Sequence, residues 1–305
     1  MAKLFMMVGL PASGKSTYAQ YIAEQENAII HSSDSLREEL FGDVNENSRN
    51  DELFRELHNR MKADLMNGKN VIYDACNISY KRRKAFLNEI KKFKCEKICY
   101  FIATPYEKCL KQNQKRDRVV PEYVINRMYK NIYIPQSYEG FDKINIIWSV
   151  FDKDYYNFGV LFEGENGLKH IDQNNHHHTL TIGEHCIRTM DYVFAKTDDY
   201  ILSLAALLHD IGKRETKEFR NMKGEQTTEA HYYGHHLVSA YNSMFYLKTY
   251  GYSDEDILNI CNYIQWHMQP FFIQTEKAKN KFINLVGQEF YDRLMILHEA
   301  DINAK

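Results

Sequence analysis

The chain has 305 residues, 44% of them hydrophobic and 26% charged, with a net charge of −2. This is the composition of a soluble globular protein with room for two domains, and it excludes a uniformly basic nucleic-acid coat. The longest apolar runs fall far short of a membrane span, and MAKLFMMVGL lacks the charged start and cleavage site of a secretory signal. The expectation is a cytoplasmic protein without a membrane partner. Six cysteines (Cys76, Cys95, Cys99, Cys109, Cys186 and Cys261) lie mostly in apolar segments, which suits reduced, packed thiols; Cys95 and Cys99 lack the second pair that a zinc site would need.

Up to about residue 150, short apolar runs alternate with helical patterns. KLFMMVG, NAIIHS, NVIYDA, CEKICYFIA and INIIWSV read as buried strands, separated by segments such as NDELFRELHNRMKADLM. That alternation predicts an α/β domain over residues 1–150, a parallel sheet with helices on both faces. Residues 151–167 are expected to form a linker. From 168 to 305 the segments TIGEHCIRTMDYVFAK, DYILSLAALLHDIGK, HYYGHHLVSAYNSMFYLKTY, DEDILNICNYIQWHM and EFYDRLMILHEADINA all carry helix-type spacing, so the second domain reads as all-α. From Lys81 to Lys130 there are 15 Lys/Arg against 5 Asp/Glu, a local excess of ten positive charges. Such a patch attracts phosphates, or it forms ordinary solvated helix faces.

GLPASGKST fits G-x-x-x-x-G-K-[ST] between a predicted strand and a predicted helix. Gly9, Pro11, Ser13, Gly14, Lys15, Ser16 and Thr17 would form the nucleotide loop. Its backbone N–H groups wrap phosphates, Lys15 reaches the β and γ oxygens, and the Ser16 hydroxyl holds Mg²⁺. ATP and Mg²⁺ are thus the expected cofactors. HSSDSLREEL follows the second strand and sets Asp34 and Arg37 three residues apart. Asp34 either takes the proton of an attacking hydroxyl or caps the helix, while Arg37 can clamp a phosphate. Asp74, closing the third strand, either reaches Mg²⁺ or substrate or caps a turn. Arg116 and Arg118, ahead of Pro121, form a cationic lid over phosphates or stand in solvent.

Together these residues resemble the P-loop kinase domain of bacteriophage polynucleotide 5′-kinase and its relatives, over about 150 residues. The resemblance includes Asp74 with Asn77, the Arg82–Arg83 pair and Arg116 ahead of Val120–Pro121. It implies Asp34 as general base on a 5′-hydroxyl, Arg37 on the acceptor phosphate and Arg116 on ATP. A second lid arginine expected before Arg116 looks like Gln112 here, unless Arg118 takes its place.

In the second half, His209 and Asp210 directly follow the apolar run Leu204 to Leu208. An unpaired buried carboxylate is costly, so such a group is paired, hydrogen-bonded or bound to metal. His185, His235, His267 and Asp301 complete the order His, His-Asp, His, His, Asp on separate predicted helices, a donor set suited to divalent transition metals. This order resembles the HD superfamily of metal-dependent phosphohydrolases, and DQNNHHHTLTIGEH resembles the lead-in of its branch related to tRNA nucleotidyltransferase HD domains. The resemblance implies His185, His209, Asp210 and Asp301 as the basic metal set, with His235 and His267 as the extra ligands of two-metal members. Asp210 would bridge two ions, and Lys213 would contact phosphate, although a helix-end lysine is also commonly solvated. His236 stands where relatives often have Glu; His170, His176, His177, His178 and His231 carry no assignment.

A hydroxyl kinase joined to a phosphohydrolase resembles bifunctional nucleic-acid end-healing enzymes, which phosphorylate 5′-hydroxyl ends and remove 2′,3′-cyclic, 2′- or 3′-phosphates. RNA or DNA ends would be substrates and a ligase a partner. The alternatives are a small-metabolite or nucleoside kinase fused to a nucleotide phosphohydrolase, or an ATP-sensing regulatory module.

Overall fold

The structure is a computed structural model that describes residues 1–175 and 179–304; His176, His177 and His178 lie outside the described residues. The chain divides into two compact units, one of residues 1–128 and 135–150, the other of residues 129–134 and 151–305.

The first unit alternates β1 (Ala2–Val8), α1 (Lys15–Glu26), β2 (Ala28–Ser32), α2 (Ser33–Phe41), α3 (Asn50–Met66), β3 (Asn70–Asp74), α4 (Tyr80–Glu89), β4 (Cys95–Ala103), α5 (Tyr106–Asn113), α6 (Glu122–Tyr129) and β5 (Lys143–Trp148). Its five strands pair in the order β2-β3-β1-β4-β5, all parallel. The reason β1 reads as an unbroken apolar run is its central place: Leu4 through Val8 are fully buried, with neighbours on both edges and helices over both faces. Cys95 and Cys99 are free thiols buried in β4, as packed core residues should be. Amphipathic α3 buries Leu53, Leu57, Met61 and Leu65, each contributing about 1.5–3 kcal/mol. Ser32 pairs with Asp74 across β2 and β3, so the carboxyl ends of β1, β2 and β3 gather at one edge. In open parallel sheets that edge is where ligands bind.

The second unit holds α7 (Phe158–Glu163), α8 (Ile182–Lys196), α9 (Tyr200–Leu208), α10 (Lys213–Thr216), β6 (Glu218–Arg220), β7 (Gln226–His231), α11 (His235–Thr249), α12 (Asp254–Trp266), α13 (Glu276–Val286) and α14 (Gln288–Asn303). Among its described residues it is helical apart from connecting loops, the antiparallel β6–β7 hairpin and an isolated bridge between Asp172 and Thr181, which helix-type spacing does not anticipate. Residues 151–167 are not an extended tether: α7 forms there, and Tyr156 and Phe158 stack among Phe245, Tyr246 and Tyr250 of this unit. The start of α8 is fixed by a capping box in which Thr181 and Glu184 satisfy each other's backbone N–H groups. Helix α11 is buried nearly all round, from Leu237 to Leu247.

Candidate functional site

The loop between β1 and α1 turns through Gly14, whose φ of 99° is open to glycine at little cost. Thr104, at the end of β4, donates its hydroxyl to the Ser13 carbonyl at 2.9 Å and braces the loop from behind. Lys15 is buried and folds back to donate to the Leu10 carbonyl at 2.6 Å, which stations its ammonium inside the loop's curl. Pro11, Gly14, Lys15, Ser16 and Thr17 line a cleft of about 1140 Å³, whereas Gly9 and Ser13 lie behind it. The Gly9 N–H donates to the Cys76 carbonyl and Ser13 is 4% exposed. Ser16 hydrogen-bonds to the buried Asp74 carboxylate. Burial raises that carboxyl above its ordinary value, while Ser16 and the nearby Lys15 ammonium offset part of the rise. Asp74 is therefore no turn cap but a carboxylate beside the loop hydroxyl.

Asp34 does not cap α2 either; Ser32 does, accepting from the Ser35 N–H. The Asp34 carboxylate instead faces two guanidinium groups, Arg37 at 3.1 Å and Arg118 at 2.9 Å. Arg37 is nearly buried and also donates to Asn50 at 2.9 Å. Arg118 also donates to Asn45, which places it beside Asp34, while Arg116 and Gln112 line the same cleft. Asn113 grips the Val120 backbone through both its amide atoms and fixes the root of the segment carrying these arginines. Arg83 has a structural duty: it is fully buried, paired in bidentate fashion with Glu139 at 2.6 and 2.7 Å, and donates to the Asn77 carbonyl. Its neighbour Arg82 lines the cleft.

In the helical unit, His185 on α8, His209 at the end of α9, His235 opening α11 and His267 ending α12 converge on Asp210. Each imidazole engages a backbone carbonyl through Nδ1: Ala304 for His185, Ala206 for His209, Tyr232 for His235 and Ile264 for His267, at 2.7 to 3.1 Å. A carbonyl only accepts, so each Nδ1 carries a proton, and each ring in its neutral form turns an Nε2 lone pair inward. The inward nitrogens meet in two pairs, His185 with His209 and His235 with His267, both 3.2 Å apart. Such a contact needs a proton or a cation between the two nitrogens, and ligands held at about 2.0–2.1 Å from one ion stand about 3.0–3.4 Å apart. The pairs thus have the spacing of neighbouring ligands.

Asp210 serves both pairs. Its Oδ2 lies 3.4 and 3.3 Å from His185 and His209, and its Oδ1 lies 3.2 and 3.6 Å from His235 and His267. Asp301 adds a carboxylate oxygen 3.1 Å from His185 and 3.7 Å from His209. Asp210 Oδ1 is buried without a hydrogen-bond donor. Burial would lower His209, but the Asp210 and Asp301 carboxylates outweigh it and raise that ring to about 10 when no ion is bound, so protons and divalent cations compete for the same inward donor set. Burial by itself would raise the Asp210 carboxyl, but His209 and Lys213 outweigh it and hold it well below the usual range. His236, beside this set, is pushed down to about 3 by burial and by His235, so it stays neutral.

Lys213 is buried, not solvated. Its ammonium contacts Asp210 Oδ2 at 2.6 Å and Gln173 at 2.7 Å and lies over the Tyr232 ring. The Tyr232 hydroxyl in turn donates to the Gln173 carbonyl. Sequence reasoning missed Gln173 and Tyr232, because nothing in the spacing ties a glutamine to a lysine 40 residues away. It likewise missed Asn50, the second partner of Arg37.

Residues 4–135 match the protein-family model described as AAA domain, and residues 182–303 match that described as HD domain. Among curated proteins the chain is similar to the L-seryl-tRNA(Sec) kinase of Methanococcus maripaludis, 26% identical over 226 residues that span 71% of this chain and 84% of the relative. Among solved structures it is similar to a chain of the Pnkp1/Rnl/Hen1 RNA repair complex, at 26% identity and a TM-score of 0.39 over 42% of each chain. This chain therefore spans less than half of that protein. A gluconokinase from Sinorhizobium meliloti 1021 is also similar, at 13% identity and a TM-score of 0.36 over 49% of this chain and 84% of that one. A five-stranded parallel sheet thus stands behind the phosphate loop in the region that matches the AAA domain, and a mainly helical unit stands behind the histidines in the region that matches the HD domain.

Proposed function

We propose that the chain heals broken nucleic-acid ends, phosphorylating 5′-hydroxyl ends with ATP and removing 2′,3′-cyclic, 2′- or 3′-phosphates from the opposite ends. The observation that carries this reading is the pairing of two chemistries in one chain: a phosphate loop whose cleft also presents Asp34 bracketed by Arg37 and Arg118, and four inward imidazoles around Asp210. Ligation of a broken end requires both operations.

In the kinase half, the Asp34 carboxylate accepts the proton of the acceptor hydroxyl as that oxygen attacks the γ-phosphorus, and the bond to the β–γ bridging oxygen breaks to release ADP. Lys15 neutralises the β and γ oxygens, Arg37 holds the acceptor's phosphate, and Arg116 faces ATP from the lid. Ser16 and Asp74 would hold Mg²⁺. In the HD half, His185, His209, Asp210 and Asp301 would hold one divalent ion, and His235, His267 and Asp210 a second. Such ions supply an activated water and neutralise phosphate charge. The backbone carbonyls behind each Nδ1 keep the rings in the ligating tautomer, and Lys213 directs positive charge at the phosphate from beside Asp210.

A second reading rests on the 26% identity to L-seryl-tRNA(Sec) kinase: a hydroxyl kinase whose acceptor is an aminoacyl group on tRNA. Labelled ATP offered with a 5′-hydroxyl oligonucleotide, free nucleosides and seryl-tRNA separates the two. End healing requires transfer to the oligonucleotide, together with phosphate release from 2′- or 3′-phosphorylated ends that His209→Ala abolishes while transfer persists.

A further inference from the structure

Helix α3 has two faces. One is buried through Leu53, Leu57, Met61 and Leu65. The other turns Asp51, Phe54, Arg55, His58, Asn59 and Lys62 into the cleft that holds the phosphate loop. Steps of three and one along these positions form a single stripe, about 18 Å long at 1.5 Å per residue from Asn50 to Lys62. Opposite it, α4 presents Arg82, Ala85 and Glu89, again one helical face, so the two helices wall a groove.

The groove begins at the acceptor residues and leads away from them. Arg37, the partner of Asp34, is hydrogen-bonded to Asn50, the first residue of α3. Beyond it the groove has aromatic walls. His58 lies against Phe86 with ring centroids 4.3 Å apart, is edge-on to Tyr73 at 5.6 Å, and is fixed by a 3.1 Å hydrogen bond to the Tyr73 hydroxyl; Phe54 lies one turn nearer Asp34. The far end is closed by an ion pair of Lys62 and Glu89 at 2.9 Å. Between these ends Arg55 and Arg82 are exposed, and among the described residues neither forms an ion pair. Exposed guanidinium groups beside half-buried rings are what a backbone of phosphates carrying stackable bases requires.

We infer that this groove is a track for the acceptor strand. A single-stranded nucleic acid with its terminal hydroxyl at Asp34 continues along α3, its bases against Phe54 and His58 and its internal phosphates at Arg55 and Arg82. The inference rests on the end-healing reading and narrows the acceptor to an oligonucleotide, since only several linked nucleotides span a stripe of about 18 Å.

The test measures kcat/KM for ATP-dependent phosphorylation of adenosine 3′-monophosphate and of single-stranded 5′-hydroxyl di-, tetra- and hexanucleotides, at several salt concentrations. The wild-type protein should gain efficiency with length. In the Arg55→Ala/Arg82→Ala double variant, two lost phosphate contacts should lower the salt slope for the hexanucleotide by about 1.4. Phe54→Ala should lower the hexanucleotide-to-mononucleotide ratio about tenfold, the effect of one lost stacking contact. KM for ATP reports that each variant is folded. A wild-type efficiency independent of length, or variants that keep the wild-type ratio and salt slope, would overturn the track and leave the kinase reading standing. Transfer to seryl-tRNA but to no nucleotide acceptor would overturn the end-healing reading and the track with it.

Discussion

Asp210→Asn is the sharpest perturbation of the helical unit, because the substitution keeps the side chain's shape and removes its charge. One Asp210 oxygen lies within 3.4 Å of His185 and His209, and the other within 3.6 Å of His235 and His267. The donor set around the two imidazole pairs is four rings and two carboxylates, so the variant halves the number of carboxylates. Loss of an outer hydrogen-bond partner costs metal affinity about 10–100-fold, and loss of a shared ligand must cost each site at least the upper figure, about 2.7 kcal/mol per ion. The variant also leaves Lys213 with Gln173 alone where Asp210 stood at 2.6 Å. Metal content per chain after gel filtration, read by mass spectrometry, should be two for the wild type, one for His267→Ala and below one for Asp210→Asn. Phosphate release should fall in the same order, while kinase activity on the same chain reports that the protein is folded. Two bound ions and full phosphatase activity in Asp210→Asn would refute the bridging role, leaving the carboxylate as a buried partner of Lys213.

Lys15→Ala and Asp34→Ala should each abolish phosphoryl transfer, yet only Lys15→Ala should weaken ATP binding in a nucleotide titration, since the proposed function puts Asp34, the ion-pair partner of Arg37, on the acceptor side. Gly212→Ala should lower the melting temperature and the metal content together, because the added methyl would meet the His235 carbonyl at 2.6 Å and the Ser239 nitrogen at 2.5 Å. Glu139→Ala should destabilise the kinase unit by about 3–5 kcal/mol in denaturant titration, since it strands the buried Arg83 guanidinium. Mn²⁺ should restore phosphatase activity to chelator-treated protein better than Mg²⁺, because imidazole donors favour later transition metals.

The parts of this architecture that read directly from sequence are those whose residue types follow from one local requirement. Strand β1 is apolar from Leu4 to Val8 because that stretch is buried on both faces, and GLPASGKST is glycine-rich because its backbone must curl. Where identity depends on distant partners, the sequence is mute. Arg82 and Arg83 are adjacent cations, yet one lines the cleft and the other is sealed against Glu139, 56 residues away. Asp34 reads as a helix cap until Ser32 is seen to do the capping. The β6–β7 hairpin is mostly polar and exposed, with only Ala230 buried, so no apolar period marks it. Helix α13 does carry a helical apolar period, in EKAKNKFINLV, yet buries Phe282 alone.

The HD motif shows how an apparently misplaced pair can be both structural and chemical. An α-helix ends with carbonyls that lack intrahelical donors, and a buried end must find them elsewhere. His209, at the end of α9, donates its Nδ1 proton to the Ala206 carbonyl three residues back, and His267 does the same to Ile264 at the end of α12. His235 repeats the device on the Tyr232 carbonyl ahead of α11. Each bond fixes the Nδ1 proton and aims Nε2 inward, so three ligands are oriented by the same local rule. The apolar run Leu204 to Leu208 belongs to the same design, because Ala205, Ala206 and Leu208 bury the helix end deeply enough that water cannot compete for that carbonyl. A carboxylate following the histidine then lands where the lone pairs converge, and Asp210 occupies that place.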